Sequence, residues 1–226
     1  MSLLLIAVLG YLIGSISFAR VIGRIAAPDV DLSETEYPIH GTDETWTYRG
    51  VSASTITDRT NWKWGLAVVV LDALKALVPV LILLIADPDD PGFAVMAGAV
   101  MIGHVWPVWW RFRGGRGQSV LLGALIVIDV LSIPVGIVAG VIIGLIVFTS
   151  VYIARNMWPI PLIPWFWWTE GVGPEFWFAI VASVAYVLAS SGDAVEEYRV
   201  RRLQGVAELS YWPRLRRTVV QLFTEE

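Results

Sequence analysis

The sequence predicts an all-α integral membrane protein with about seven transmembrane helices, an N-terminus outside the membrane and a C-terminal tail in the cytoplasm. Of the 226 residues, 56% are apolar and only 16% are charged, and the mean hydropathy is +0.66. Soluble domains carry roughly 25% charged residues, and one compact core of this length cannot bury so much apolar surface. The chain has no cysteine, which excludes disulfides and thiol nucleophiles. We therefore expect membrane lipids as the surroundings, and neither nucleic acid nor a metal as a partner.

Seven apolar segments supply the predicted helices, because a bilayer crossing needs about 20 mainly apolar residues. Turn-forming residues such as those at 87–91 separate the segments, and the long apolar stretch from 119 to 148 is divided between two of them. The sixth segment is rich in Trp and Pro and is expected to be short or interfacial. The segments are Leu3–Ile25, Trp64–Ala86, Gly92–Trp110, Gln118–Ile128, Leu131–Tyr152, Met157–Thr169 and Glu175–Ser190.

The positions of Lys and Arg predict the orientation, because these residues favour the cytoplasmic side of a span. Alternate connections carry basic residues, whereas the connections at 1–2, 87–91, 129–132 and 170–174 carry none. We expect a membrane domain over residues 1–192, which includes a cytoplasmic loop at 28–61. A basic amphipathic tail over 193–226 is expected to lie on lipid headgroups. The basic residues concerned are Arg49, Arg59, Lys63, Arg111, Arg113, Arg116, Arg155, Arg199, Arg201, Arg202, Arg214, Arg216 and Arg217.

The sharpest chemical signal is a glycine-rich basic run between the third and fourth segments. It consists of Arg113, Gly114, Gly115, Arg116 and Gly117 and directly precedes a predicted helix. Glycines allow close approach of the backbone, and the free N–H groups at a helix start attract anions. The run therefore predicts a phosphate-binding loop. The alternative is a basic cytoplasmic turn that glycine makes flexible.

Three ionisable residues lie inside predicted spans. Asp72 and Lys75 are three positions apart, which places them on one helical face within bonding distance. Charged groups in lipid are costly and commonly functional, although a salt bridge that only holds the helices together is the other interpretation. His104 is a candidate proton carrier, and its alternative is a hydrogen-bonded structural histidine.

The loop at 28–61 is long enough to indicate a function. Its second half contains Arg49, Ser52, Ser54 and Arg59, and an arginine among small hydroxyl residues is a candidate anion site. The first half is acidic and is expected to be solvated.

Three segments in chain order match a known pattern. They are YLIGSIS at 11–17, LDALK at 71–75 with Pro79 and Val80, and GHVWPV at 103–108 continuing into FRGGRG at 112–117. Together they resemble the integral-membrane glycerol-3-phosphate acyltransferases that use acyl-phosphate as donor, the PlsY-type family. Arg113 and Arg116 stand where that family has lysines.

The resemblance implies transfer of an acyl group from acyl-phosphate to glycerol 3-phosphate, giving lysophosphatidic acid, in the cytoplasmic membrane of a prokaryote and without a cofactor. It implies that residues 113–117 hold the acceptor phosphate and that Arg49 or Arg59 balances the charge of the donor. Ser52 or Ser54 would position a reacting oxygen, and His104 joins them as a catalytic candidate.

Two of the family's three cytoplasmic motifs are altered in this chain. The first becomes RGVSAST at 49–55, and the start of the third becomes SSGDA at 190–194. Only Gly205 and Glu208, further along in LQGVAE at 203–208, still resemble the end of the third motif. Two alternatives therefore stay open. One is a catalytically degenerate homologue that binds lipid or serves as an accessory subunit beside other membrane subunits, and the other is an acyltransferase with a different phosphorylated acceptor.

Overall fold

The structure is a computed structural model and describes residues 1–32, 35–38, 44–48 and 50–223. Helices form the membrane part, as predicted, and a short antiparallel hairpin of two strands lies in the loop at 28–61. The helices are α1 Leu3–Gly14, α2 Phe18–Ala26, α3 Ala53–Arg59, α4 Trp62–Ala86, α5 Gly92–Val105, α6 Gln118–Ile128, α7 Ser132–Ile142, α8 Val151–Asn156, α9 Leu162–Thr169, α10 Pro174–Leu203 and α11 Tyr211–Phe223. The strands are β1 Thr35–Pro38 and β2 Thr45–Tyr48. A 3-10 turn, Val108–Trp110, follows α5, and a π-helical turn, Ile143–Val147, extends α7.

Four helical segments of the described chain are long and apolar enough to cross a membrane. These are Leu3–Ala26, Trp62–Ala86, Gly92–Trp110 and Pro174–Leu203. The apolar helices Gln118–Ile128 and Ser132–Val147 are shorter. Four full-length segments therefore stand where seven were predicted, and the seven-span count stays a prediction.

The predicted first span is broken at residues 15–17. α1 ends at Gly14, and the carbonyl oxygens of Gly14 and Ile16 accept hydrogen bonds from Lys75 Nζ at 3.2 and 2.8 Å. Helix ends leave such carbonyls without intrahelical donors. A cation from α4 therefore stabilises the break.

The predicted fifth and sixth segments form an antiparallel pair of irregular helices. Gly144 lies against Ala154 and Gly140 against Trp158, while the Trp165 indole donates to Asp129 at 2.6 Å. The sixth segment contains a helix of only 8 residues, α9, as its Pro and Trp content predicts.

The predicted seventh segment continues well beyond Ser190. α10 runs from Pro174 to Leu203, straight through the expected boundary at 192/193. Gly192 at that boundary does not interrupt the helix, which ends just before Gly205, where φ is +67°. Arg199 pairs with Glu196 at 3.3 Å on the polar half of α10. The tail therefore begins within a continuous helix.

α5 is the central helix, and most of its residues are buried. It packs against α1, α4 and α10, and the largest apolar cluster surrounds it, including Met101, Val120, Leu162 and Tyr186. The residues that follow α5 are thereby held beside the starts of α2 and α6.

Candidate functional site

A cavity of about 230 Å³ lies where α6 begins. Five parts of the chain meet there: the start of α2, the residues around the start of α3, one side of α4, the end of α5, and the glycine-rich run. Its polar lining comprises Ser17, Ser52, Ser54, Asp72, His104, Arg116, Gln118 and Ser119. The structure therefore brings together most of the residues that the sequence singles out.

The glycine-rich run does not present all of its N–H groups to this cavity. Gly114 donates to the carbonyl of Val105 at 3.1 Å, and Gly115 donates to that of His104 at 3.2 Å. A Cβ on Gly115 would lie 2.5 Å from His104 Nε2. These two glycines therefore serve close packing, and the anion donors expected from them must come from the next residues.

The start of α6 supplies those donors. Gly117 has a φ of +90° and is the N-cap of α6, so the chain turns sharply into the helix. The first-turn N–H groups of a helix have no intrahelical acceptors and lie at the positive end of its dipole. Since Gly117, Gln118 and Ser119 line the cavity, this helix start is suited to an anion.

The two arginines of the run take different positions. Arg116 is partly buried, and its Nε donates to Asp193 of α10 at 2.8 Å. Arg113 is exposed, and its carbonyl accepts from Arg20 at 2.8 Å. The guanidinium nearest the helix start is therefore Arg116, held by a carboxylate 77 positions away in the sequence.

A larger cavity of about 580 Å³ adjoins the first one and shares Gly115 and Arg116 with it. Its walls carry both signs of charge, from Arg113, Arg199, Asp193 and Glu196, and Thr47 of β2 closes one side. Glu44, which precedes β2, forms an ion pair with Arg199. Glu44 and Thr47 thus connect the β2 end of the loop to this charged chamber next to the candidate site.

Asp72, Lys75 and His104 form one buried cluster. Lys75 Nζ lies 2.7 Å from Asp72 Oδ1 and 2.8 Å from His104 Nδ1. An ammonium group can only donate, so His104 Nδ1 accepts and a neutral ring carries its proton on Nε2. This Nε2–H group lies next to Gly115, and both residues line the cavity.

The serines lie at the start of α3. Ser52 caps this helix, and its hydroxyl also contacts that of Ser54 at 2.8 Å. Arg59 is exposed at the other end of α3 and is absent from the lining of both cavities. Glu208 is exposed in the turn after α10. Arg49 lies outside the described residues.

A buried polar network that the sequence analysis missed supports the start of α6. Gln118 donates to Tyr186 at 3.0 Å and to Asn156 at 3.3 Å, and Tyr186 donates to Asn156 at 2.9 Å. Asn156 in turn donates to the carbonyl of Tyr152 at 2.7 Å. A lone Tyr or Asn in an apolar segment is the only local signal, and it does not identify the partner.

Comparison with known proteins gives one consistent result. The family model described as "Glycerol-3-phosphate acyltransferase" matches residues 4–195. A relative of that name from Anaeromyxobacter sp. (strain Fw109-5) is 35% identical over 130 residues, which cover 56% of this chain and 58% of the relative. Another, from Mycoplasma mycoides subsp. mycoides SC, is 31% identical over 192 residues, 78% of this chain and 67% of the relative.

A solved structure resembles the whole fold. The crystal structure of PlsY, an integral membrane glycerol 3-phosphate acyltransferase, in its glycerol 3-phosphate form covers 91% of this chain and 94% of its own. The TM-score is 0.68 at 24% sequence identity, a likeness of fold. Against the Anaeromyxobacter relative, by contrast, the matched region spans little more than half of the relative's length.

Proposed function

We propose, from the premise that this chain belongs to the glycerol-3-phosphate acyltransferase family, that it transfers an acyl group from acyl-phosphate to glycerol 3-phosphate within a membrane. The product would be lysophosphatidic acid. The observation that carries this proposal is the cavity at the start of α6, where Arg116, first-turn N–H groups, serine hydroxyls and His104 converge.

The start of α6 is the proposed site of the acceptor phosphate. Phosphate oxygens there would accept from the first-turn amides and from Arg116, and charge-assisted bonds of this kind are the strong ones. Asp193 holds the guanidinium by its Nε, which restricts the orientation of the plane. Asp193 is thus a positioning residue for Arg116.

The acyl-transfer step needs no group beyond the two substrates and the cavity. The acceptor hydroxyl oxygen bonds to the acyl carbon, the bond from that carbon to the phosphate oxygen breaks, and the departing phosphate takes the hydroxyl proton. Negative charge develops on the acyl oxygen before the phosphate leaves. Donors aimed at such an oxygen accelerate the reaction, and His104 Nε2–H is the proposed donor, with Ser52 or Ser54 beside it.

We further propose the orientation that the charges predict, with seven crossings, the N-terminus outside and the candidate site at the cytoplasmic face of a prokaryotic cytoplasmic membrane. The tail would then lie on the inner leaflet. In support, α11 exposes Trp212 and Val220 beside Arg216 and Arg217, which is typical of interfacial helices. Tyr211 also donates to the carbonyl of Ile146 at 2.8 Å, tying α11 to the end of the π-helical turn.

An assay of the purified chain with acyl-phosphate and glycerol 3-phosphate tests the function. Arg116→Ala should raise KM for glycerol 3-phosphate about 10- to 100-fold, since a charged hydrogen bond contributes about 1.5–3 kcal/mol, with a smaller change in kcat. Lys63→Gln, an exposed charge on the same side, is the matched control. No turnover by the unaltered chain would reject the enzyme and favour the accessory subunit. An unchanged KM in Arg116→Ala would reject the phosphate site.

A further inference from the structure

A second group of arginines lies beside the candidate site and takes no part in the proposed reaction. Arg20 and Arg24, on successive turns of α2, both lie over the indole ring of Trp110, with guanidinium carbons 5.1 and 5.0 Å from its centroid. The Arg20 side chain also donates to the carbonyl of Arg113 at 2.8 Å. A cavity of about 180 Å³ adjoins these residues.

The charges around this cavity are mainly of one sign. Its lining includes Arg20, Arg24 and Trp110, and Asp31 is its one carboxylate among the described residues. The positive charges of Arg24 and Arg113 repel that of the Arg20 guanidinium. Arg20 Nε is buried without a hydrogen-bond partner among the described residues. A buried N–H donor normally has an acceptor, and this one has none there.

The surroundings place this cluster at the edge of the membrane. On α2, Val21 and Ile25 are exposed, and Trp109 and Phe112 are exposed on either side of Trp110. Exposed apolar and aromatic side chains next to arginines are typical of the headgroup region. A ligand that enters this cavity past these exposed apolar residues needs hydrocarbon chains as well as an anionic group.

We propose that Arg20, Arg24 and Trp110 form a binding site for the phosphoryl headgroup of an anionic phospholipid. Guanidinium groups bind phosphate oxygens through paired donors, and the indole holds both of them in place by cation–π contact. The site is separate from the proposed acceptor site at α6, although Val51 lines both cavities. It does not depend on acyl transfer and would exist in an inactive chain.

Retention of lipid by the purified protein tests the site. The protein is released for native mass spectrometry from micelles that contain phosphatidylglycerol or phosphatidylcholine, and the bound lipid is counted. The unaltered chain should retain phosphatidylglycerol preferentially. Since a basic residue near a membrane surface is worth about 1 kcal/mol, Arg20→Gln and Arg24→Gln should each weaken retention roughly fivefold, and the double variant more.

Controls separate the possible explanations. Lys63→Gln removes an exposed charge from the same side and should keep the retention of the unaltered chain. Arg24→Gln carries the test alone if the double variant does not fold, because it leaves the bond from Arg20 to Arg113 intact. Equal retention of both lipids, or unchanged retention in Arg24→Gln, would overturn the proposal. Displacement of the lipid by excess inorganic phosphate would assign the site to free phosphate and overturn the lipid assignment.

Discussion

Replacing Lys75 by methionine should strongly destabilise the fold. The Lys75 side chain is 3% exposed and that of Asp72 is 7% exposed, and the two groups are 2.7 Å apart. Methionine keeps the length of the side chain and removes the charge. The Asp72 carboxylate then stays buried without its cation, and the carbonyls of Gly14 and Ile16 lose their shared donor.

The expected size of the effect follows from this burial. Removal of one partner of a buried ion pair costs about 3–5 kcal/mol. For a chain of this length, 1 kcal/mol changes the melting temperature by about 2–4 °C, so Lys75→Met should melt about 6–20 °C lower. The double variant Asp72→Asn with Lys75→Met should melt above the single variant, because it leaves no unpaired charge.

Thermal unfolding in detergent, followed by circular dichroism, is the measurement. Lys63→Gln is the control for loss of one positive charge at an exposed position. A melting temperature of Lys75→Met equal to that of the unaltered chain would refute the reasoning. So would a double variant that melts below Lys75→Met, since the loss would then come from packing and not from an unpaired charge.

Two further substitutions test the packing around the site by melting temperature. Gly115→Ala should destabilise the fold by about 1–3 kcal/mol, because its Cβ would lie 2.5 Å from His104 Nε2. The control Gly192→Ala, whose Cβ meets nothing within 4 Å, should melt at or above the temperature of the unaltered chain. Equal losses in both variants would contradict crowding at Gly115. Tyr186→Phe removes a fully buried hydroxyl that bonds to Gln118 and Asn156. It should lower the free energy of unfolding by about 1–3 kcal/mol. An unchanged melting temperature would mean that the network is not needed for stability.

Local sequence signals predict the regular helices well. α6 runs from Gln118 to Ile128, as predicted, and α4 ends at Ala86, as predicted from the turn-forming residues after it. Such boundaries depend on glycine, proline and aspartate close by in the chain. The break after Gly14 could not be predicted in this way, because it is stabilised by Lys75, 61 residues away.

The candidate site shows the same division. The glycine-rich run and His104 are recognisable from the sequence, and the structure brings both to one cavity. The pairing of Arg116 with Asp193 and the bonds of Gly114 and Gly115 to the end of α5 are tertiary contacts. These contacts determine which hydrogen-bond donors are available to a ligand, and no local sequence pattern predicts them.

The buried cluster of Asp72, Lys75 and His104 also bears on how the chain enters the bilayer during synthesis. Asp72 and Lys75 share one helical face, so each can neutralise the other once α4 has formed, which eases the transfer of two ionised groups into lipid. The carbonyls at the end of α1 are already synthesised by then, whereas His104 emerges later. Lys75 can thus acquire its partners in the order in which the ribosome makes them.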